Sequence, residues 1–295
     1  MKKMKGPGFA QTAFDTVNVF FMILLGVIMI YPIWHVICAS LSSVDALMRN
    51  RGILLWPVDF NFKAYSLMWT NPMISKSYIN TIIIVASSVS VSMCLTVLCA
   101  YVLSRKNVFW NPIFNSMVMI TMFFGGGLIP TYLLVAKNLN LNNNYLALIL
   151  PNAVNVFNMI IMKTSFLSVP ESLEESAKLD GAGHWRILFN IILPLSKSIL
   201  AVITLYYAVS QWNSWFEAAI YLQDRERYPL QLILREILIN NDTALMSNAS
   251  ALDGEAVGDS IKYAVIVFAT LPILCVYPYL QKYFTKGVMI GAMKE

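Results

Sequence analysis

Long apolar segments recur along almost the whole chain, and they limit its possible folds more than any other feature. A helix needs about 20 apolar residues to cross a hydrocarbon core about 30 Å thick, and several segments reach that length. Only 13% of the 295 residues are charged, whereas a soluble globular chain carries about 25%. These segments use nearly all of the length, so no room remains for a large soluble domain. The sequence predicts one membrane domain, residues 1–295.

Hydropathy predicts six transmembrane helices, so the predicted fold is all-α and polytopic. The segment nearest the N-terminus is too long for the core of a signal peptide and is counted as the first helix. Pro32 and Pro272 fall inside spans, where neighbouring helices can satisfy the freed carbonyls. The predicted spans are residues 14–40, 78–103, 112–136, 145–167, 195–222 and 261–284.

The basic residues indicate how the chain is oriented in the membrane. Six spans put both termini on one side, and the short segments on that side hold 12 of the 21 Lys and Arg. Cytoplasmic loops are enriched in Lys and Arg, so both termini are predicted to be cytoplasmic. The basic residues are scattered, without the clustered basic patch of a nucleic-acid-binding protein. The four cysteines lie in apolar segments and indicate neither a disulfide framework nor a metal site.

The loop between the fourth and fifth spans, residues 168–194, contains the most informative pattern. Acidic residues open a short helix there, where the helix dipole favours them, and Ser168 and Glu171 have the spacing of a capping box. Asp180 and Gly181 are predicted to end this helix, with Gly181 in a conformation that a β-carbon disfavours. A second amphipathic piece follows. Such a helix–turn–helix could dock in a groove on a partner, or be an ordinary amphipathic helix at the membrane interface.

The spacing within this loop resembles the EAA loop of ABC importer permeases. That pattern is Glu-Ala-Ala, three residues, Gly, nine residues and Ile-x-Leu-Pro, and this chain departs from it only in having Ser in place of the first Ala. Residues 124–134 and 286–294 are similar to the oligosaccharide subgroup of the maltose-type, carbohydrate-uptake permeases. The residues to which the resemblance gives a role in coupling to an ATPase are Glu174, Glu175, Ser176, Ala177, Asp180, Gly181, Ala182, Ile191, Leu193 and Pro194.

The resemblance implies a type I ABC importer permease fold in a bacterial cell membrane. In that family a second permease subunit pairs with the first, and two cytoplasmic ATP-binding subunits dock on the EAA loops. An extracellular or periplasmic solute-binding protein delivers the sugar, here expected to be an oligosaccharide. The sequence contains no G-x-x-x-x-G-K-[ST] phosphate loop. We therefore expect the partner ATPase to bind ATP and Mg²⁺, with no cofactor, metal or catalytic residue in this chain.

Amide side chains in the fourth span are candidates for the sugar path. Asn152, Asn155 and Asn158 are three residues apart, which would place them on nearly one helix face. Polar side chains within a span face protein or a water-filled cavity. The three amides could bind sugar hydroxyls, or they could form hydrogen bonds between helices.

Two other groups are further candidates for the path. Gly125, Gly126 and Gly127 would weaken the third span by about 1 kcal/mol each, and such a segment could line a cavity or allow close helix packing. Gln211 and Trp212 near the end of the fifth span could contact a sugar, although Trp near a membrane boundary is also a common anchor.

The outer loop 223–260 is longer than a simple connection needs. Its small polar tip is predicted to contact the binding protein. The candidate contact residues are Asn240, Asn241, Asp242 and Thr243.

Two other classes of function are alternatives to the permease. A secondary transporter tends to place ionisable residues near the midplane of its spans, and an intramembrane enzyme needs a nucleophile and base, or a metal cluster, on neighbouring spans. The predicted spans hold almost no ionisable residues near the midplane and no such set. The sequence therefore favours the permease.

Overall fold

The computed structural model describes residues 9–49, 52–240, 261–276 and 278, and most of these residues are helical, with no β-strand among them. Residues 133–138 and 188–192 are π-helical and residues 225–227 form a 3₁₀ turn. The helices are α1 (Phe9–Ser40), α2 (Val44–Arg49), α3 (Lys63–Thr70), α4 (Pro72–Ser104), α5 (Asn111–Phe123), α6 (Leu128–Tyr132), α7 (Leu146–Ile149), α8 (Val156–Leu167), α9 (Glu171–Leu179), α10 (His184–Ile187), α11 (Leu193–Leu195), α12 (Lys197–Trp212), α13 (Phe216–Tyr221), α14 (Leu230–Asn240) and α15 (Ile261–Val276).

Two of these helices are long and apolar enough to cross a membrane unaided: α1, over Gln11–Ser40, and α4. Two further pairs meet the same criterion only together. The α5 helix is bent by 110° against Leu128–Asn138, and His184–Leu195 is bent by 85° against α12. If each bent pair is one span, the described ranges contain four candidate spans, with α8 and α15 as shorter apolar helices.

Three of the segments predicted as spans are interrupted. The third is not helical at residues 124–127, which include the three glycines. In the fourth, α7 ends before Pro151, which lacks the N–H that would continue the helix. The fifth is broken after Trp212, where α12 ends, and resumes at Phe216. Beyond Val276, the last predicted span lies outside the described residues except for 278.

The chain divides into two units, one made of residues 1–71 and 237–269 and the other of residues 72–236 and 270–295. In the first unit no residue in the most apolar stretch of α1 is buried, which suits contact with lipid. Cys38 and Leu54 form a small core there. Ser42 supports it, because its hydroxyl donates to the Cys38 carbonyl at 2.7 Å and accepts the Val58 N–H at 3.0 Å.

In the second unit α4 packs against α8 and α12. One face of α4 buries small polar side chains four residues apart, among them Ser88, Ser92 and Thr96. Small side chains let transmembrane helices approach closely. This face therefore lets α4 lie at the centre of the unit.

The main core of the second unit lies toward the end of α4 at Ser104. It includes residues of the predicted coupling loop, so this loop is part of the folded core and not an appendage. The buried members are Ala100, Tyr101 and Leu103 of α4, Met159, Met162 and Phe166 of α8, Ile187, Leu188 and Ile192 of the loop, and Ile203 and Tyr207 of α12.

Candidate functional site

Helix α9 forms the first half of the predicted coupling loop. Its first turn contains Glu171 and Glu174, whose charges are favourable at a helix N-terminus. The N-cap is Pro170, which makes no side-chain cap. The Ser168 hydroxyl donates at 2.7 Å to a carbonyl of the preceding helix instead. The predicted capping box is therefore wrong.

The predicted stop at Gly181 is confirmed. Gly181 has φ +78°, and its N–H donates to the Lys178 carbonyl at 3.0 Å, while the Ala182 N–H donates to the Ala177 carbonyl at 2.8 Å. These two bonds form a Schellman motif, which satisfies carbonyls at a helix end. A Cβ at position 181 would meet no atom within 4 Å, so the need for glycine comes from the backbone conformation alone.

Glu174 forms an ion pair with Arg105, the residue directly after α4. The two side chains are only 9% and 14% exposed, and among the described residues Glu174 is the one charged residue that is buried. The Arg105 guanidinium also donates to the Ser104 hydroxyl at 2.9 and 3.1 Å and lies 4.8 Å from the centre of the Tyr101 ring. The pair thus joins α9 to the end of α4.

A second ion pair joins the same two elements at the surface. Lys106 Nζ lies 2.6 Å from a carboxylate oxygen of Glu171, and the side chains are 74% and 66% exposed. The hydrogen bond from Lys106, and then its charge, lower the pKa of Glu171. Burial lowers the pKa of Arg105, whereas the charge of Glu171 opposes that shift. Exposed ion pairs contribute little to stability, so the buried pair is the one that constrains α9.

The opposite side of α9 faces away from the core. Glu175, Ser176 and Asp180 are exposed there. Two leucines lie among them, Leu173 at 44% and Leu179 at 89% exposure. This side of α9 therefore presents apolar as well as charged side chains.

The second half of the loop, from α10 to α11, also has an inner and an outer side. Trp185 and Phe189 are exposed and stack with their ring centres 6.1 Å apart. Of the predicted coupling residues in this half, Ile191 and Leu193 are half-buried and Pro194 is exposed. Both halves of the loop therefore expose side chains, which are charged, small and apolar on α9 and aromatic after it.

A cavity of about 360 Å³ lies beside this surface, between the end of α4 and α10. The Tyr101 hydroxyl lies 3.3 Å from Nδ1 of His184 at its edge. Its remaining lining residues are mostly apolar. The cavity could accept an apolar side chain of a partner docked on the loop.

The three asparagines of the predicted path do not form a ladder on one helix face, because α8 begins only at Val156. Asn152 lies exposed in the preceding turn, and Asn158 is buried in the helix at 6% exposure. Asn155 is the N-cap of α8, and its side-chain oxygen accepts the Asn158 N–H at 3.1 Å. Its own N–H donates to the Tyr207 hydroxyl at 2.9 Å. Asn155 thus has a structural role at the start of α8.

The glycines lie at the 110° bend between α5 and α6. All three are exposed, and Gly127 has φ +85°. Gln211 is half-buried and accepts a hydrogen bond from Ser88 at 3.4 Å. Trp212 is 8% exposed and meets Tyr78 edge-on at 5.7 Å. Packing against Tyr78 therefore accounts for the burial of Trp212, whereas the three glycines are exposed.

Comparisons with known proteins show the family of the chain. Residues 8–290 match the family described as binding-protein-dependent transport system inner membrane component. The chain belongs to this family. It is 41% identical over 286 residues to the polygalacturonan/rhamnogalacturonan transport system permease protein YtcP of Bacillus subtilis (strain 168), covering 95% of this chain and 98% of the relative.

Two solved chains are similar to this permease. One belongs to a bacterial ABC transporter involved in the import of the acidic polysaccharide alginate. It has a TM-score of 0.87 and 32% identity and covers 95% of this chain and 100% of that chain. The other, from a bacterial alginate ABC transporter in complex with an alginate pentasaccharide-bound periplasmic protein, shares the fold at a TM-score of 0.62 and 14% identity, covering 92% and 95%. The predicted resemblance to carbohydrate-uptake ABC importer permeases is thereby confirmed, and the relatives are transport permeases rather than enzymes.

The predicted contacts of this permease with a binding protein lie almost wholly outside the described residues. Asn240 is the last residue of α14, and Asn241, Asp242 and Thr243 are not described. Asn143, which is absent from the predicted site residues, holds the start of the same loop by hydrogen bonds. Its side chain donates to Asp224 at 2.6 Å and accepts the N–H groups of Gln223 and Asp224 at 3.2 Å each.

Arg105 is also absent from the predicted site residues of the permease. A sequence signal for it exists, because a basic residue directly follows the second span while the coupling helix opens with acidic residues. That signal does not say which of the carboxylates pairs with which base.

Proposed function

We propose that this chain is one of two permease subunits of an ABC importer that takes up an oligosaccharide, and that α9 transmits the action of ATPase subunits to the spans. The observation that carries the proposal is the two-sided structure of α9. Its inner side is held to α4 through the buried Glu174–Arg105 pair, and its outer side exposes Glu175. An element with these two properties can receive a partner and pass on its motion.

The proposed membrane arrangement has six spans in a single domain of residues 1–295, with both termini cytoplasmic. The long helices α1 and α4 supply two spans, and the two bent pairs supply two more. The segment from α7 through α8 and the segment that begins with α15 supply the remaining two. Bent or broken helices are tolerated in a membrane where they face protein or a cavity, which suits a translocation path.

The substrate class follows from the relatives and from chemistry. The relatives named above carry polygalacturonan, rhamnogalacturonan or alginate in their descriptions, which supports an oligosaccharide as the cargo. Exposed neutral groups such as Asn152 and the glycine segment suit a path that must replace water around sugar hydroxyls without binding tightly. Asn152→Leu should lower uptake without lowering the amount of assembled transporter.

We propose that partner subunits bind the ATP that drives transport. Since this sequence has no phosphate loop, ATP and Mg²⁺ are bound by two cytoplasmic ATP-binding subunits that dock on α9 and the loop after it. A second permease completes the path, and an extracellular or periplasmic binding protein delivers the sugar. The transporter resides in the bacterial cell membrane.

The test is uptake and co-purification in a strain from which the gene is deleted. Labelled trigalacturonate and maltotriose represent an acidic and a neutral oligosaccharide. We expect the deletion to abolish uptake of at least one, plasmid-borne permease to restore it, and tagged permease to co-purify with an ATP-binding subunit. Unchanged uptake of both sugars, together with purification of the permease without any ATPase, would refute the proposal.

A further inference from the structure

Two adjacent glutamates of α9 have opposite surroundings. Glu174 is buried at 7% exposure, whereas Glu175 is exposed. We propose that the Arg105–Glu174 pair fixes α9 to the end of α4 so that the two move as one body, and that Glu174 is a positioning residue which does not touch the partner. This inference rests on the proposed function only in naming a partner for Glu175.

The side chain of Arg105 is held from several directions. It donates to the Ser104 hydroxyl at 2.9 and 3.1 Å, lies over the Tyr101 ring at 4.8 Å and meets the carboxylate of Glu174. A guanidinium is planar and presents its N–H donors in a fixed arrangement. With its donors directed in this way, it can meet Glu174 only over a narrow range of positions of α9.

The backbone of Arg105 is fixed as well. Its carbonyl accepts a hydrogen bond from the side chain of Asn111 at the start of α5. Asn111 in turn accepts from Asn115, whose side-chain oxygen accepts from Lys163 of α8 at 2.5 Å. Arg105 is therefore held by residues of α4 and α5 and is linked through them to α8, so its position is fixed independently of α9.

Burial makes this pair different from the neighbouring pair of Lys106 and Glu171. Removing one partner of a buried pair leaves an uncompensated charge, whereas an exposed partner is solvated by water. Rotation of α9 about its axis would separate Arg105 from Glu174 before it separated the flexible surface pair. The buried pair thus opposes motion of α9 relative to α4, directly beside the residue that faces outward.

The experiment measures the distance between α4 and α9 by pulsed electron paramagnetic resonance. Spin labels are attached at two exposed positions, Val102→Cys on α4 and Lys178→Cys on α9. The full-length permease is used in lipid nanodiscs after the native cysteines Cys38, Cys94, Cys99 and Cys275 are replaced by serine. The same labels are then measured in the assembled transporter, with and without a non-hydrolysable ATP analogue and Mg²⁺.

We expect one narrow distance distribution that the nucleotide does not shift. Glu174→Gln should broaden the distance distribution. The exchanged pair, Arg105→Glu with Glu174→Arg, should make it narrow again. The matched control Glu175→Gln, one residue away and exposed, should leave the distribution narrow. A fold defect alone would not be rescued by reversing both charges.

Three results would overturn the inference: a narrow distribution in Glu174→Gln, a broad one in Glu175→Gln, or a shift of the wild-type distance with nucleotide. If Glu174→Gln fails to reach the membrane, the apolar pair Arg105→Met with Glu174→Leu replaces it, because apolar side chains can substitute for a buried ion pair. A narrow distribution there would assign the positioning to packing and also overturn the inference. Failure of the permease to bind ATPase subunits would instead count against the proposed function, since the comparison of variants in the isolated permease needs no partner.

Discussion

The backbone of Gly181 allows a quantitative prediction about the end of α9. At φ +78° a residue with a β-carbon is strained by roughly 1–2 kcal/mol. No atom lies within 4 Å of the position that a Cβ would occupy, so crowding adds nothing to this cost. Gly181→Ala should therefore destabilise the turn by about that amount, which is a factor of about 5–30 in the equilibrium between closed and open turn.

The measurement is amide hydrogen exchange at Ala182, whose N–H closes the turn by donating to Ala177 at 2.8 Å. When opening is fast compared with exchange, the exchange rate follows the population of the open turn. Exchange at this amide should be about 5–30 times faster in Gly181→Ala than in the wild type. Gly181→Asn should accelerate it less, because Asn tolerates the left-handed conformation better than Ala does.

The chain offers a matched control two residues away. Gly183 has φ −75°, and a β-carbon added there would also meet no atom within 4 Å, so alanine fits its backbone. Gly183→Ala should leave exchange at Ala182 unchanged or slow it slightly. The reasoning would be refuted if both alanine variants accelerated exchange equally, or if Gly181→Asn were more damaging than Gly181→Ala.

Three further predictions concern single side chains. Glu175→Lys should leave the permease in the membrane but abolish co-purification of the ATP-binding subunits, and retention of those subunits would remove Glu175 from the docking surface. Tyr207→Phe removes the hydroxyl that accepts the Asn155 N–H at 2.9 Å. The free energy of unfolding, measured by thermal denaturation, should fall by about 1–3 kcal/mol. An unchanged melting temperature would mean that water replaces the hydroxyl. Glu171→Gln removes the exposed partner of Lys106, whose hydrogen bond lowers the pKa of this carboxyl. The small contribution of this ion pair to stability should be present above the pKa that the carboxyl has in the unfolded chain. It should disappear as the pH falls through the lowered pKa of the folded chain. A stability difference between wild type and variant that grew in acid would contradict the assignment.

Local signals in the sequence are sufficient to predict the turn at the end of α9. Gly181 was predicted both as the end of a helix and as a residue with an unusual backbone conformation, and both predictions are confirmed. Pro32, which is predicted to lie inside the first span, also lies within a helix, α1. These features depend on the covalent structure of one or two residues and need no knowledge of distant contacts.

Features that depend on distant contacts were not predictable in the same way. The order of charges does not reveal that Arg105 pairs with Glu174 in the core while Lys106 pairs with Glu171 in water, because packing determines which side chain is buried. The prediction that the three asparagines lie on one helix face is wrong, and the reason can be read from the sequence. Pro151 precedes the first asparagine and interrupts the helix, and the next helix begins only after the second asparagine.

The core that α4, α8 and α12 share with residues 168–194 has a consequence for chimeric transporters. Ile187, Leu188 and Ile192 of the loop are at most 1% exposed and pack in one cluster with Phe166 and Ile203. Exchanging residues 168–194 alone for the loop of another permease would set foreign side chains against native neighbours, and a close-packed core tolerates changes of volume poorly. A hybrid built to accept a different ATPase should therefore exchange only the outward side chains of the loop and retain the buried ones.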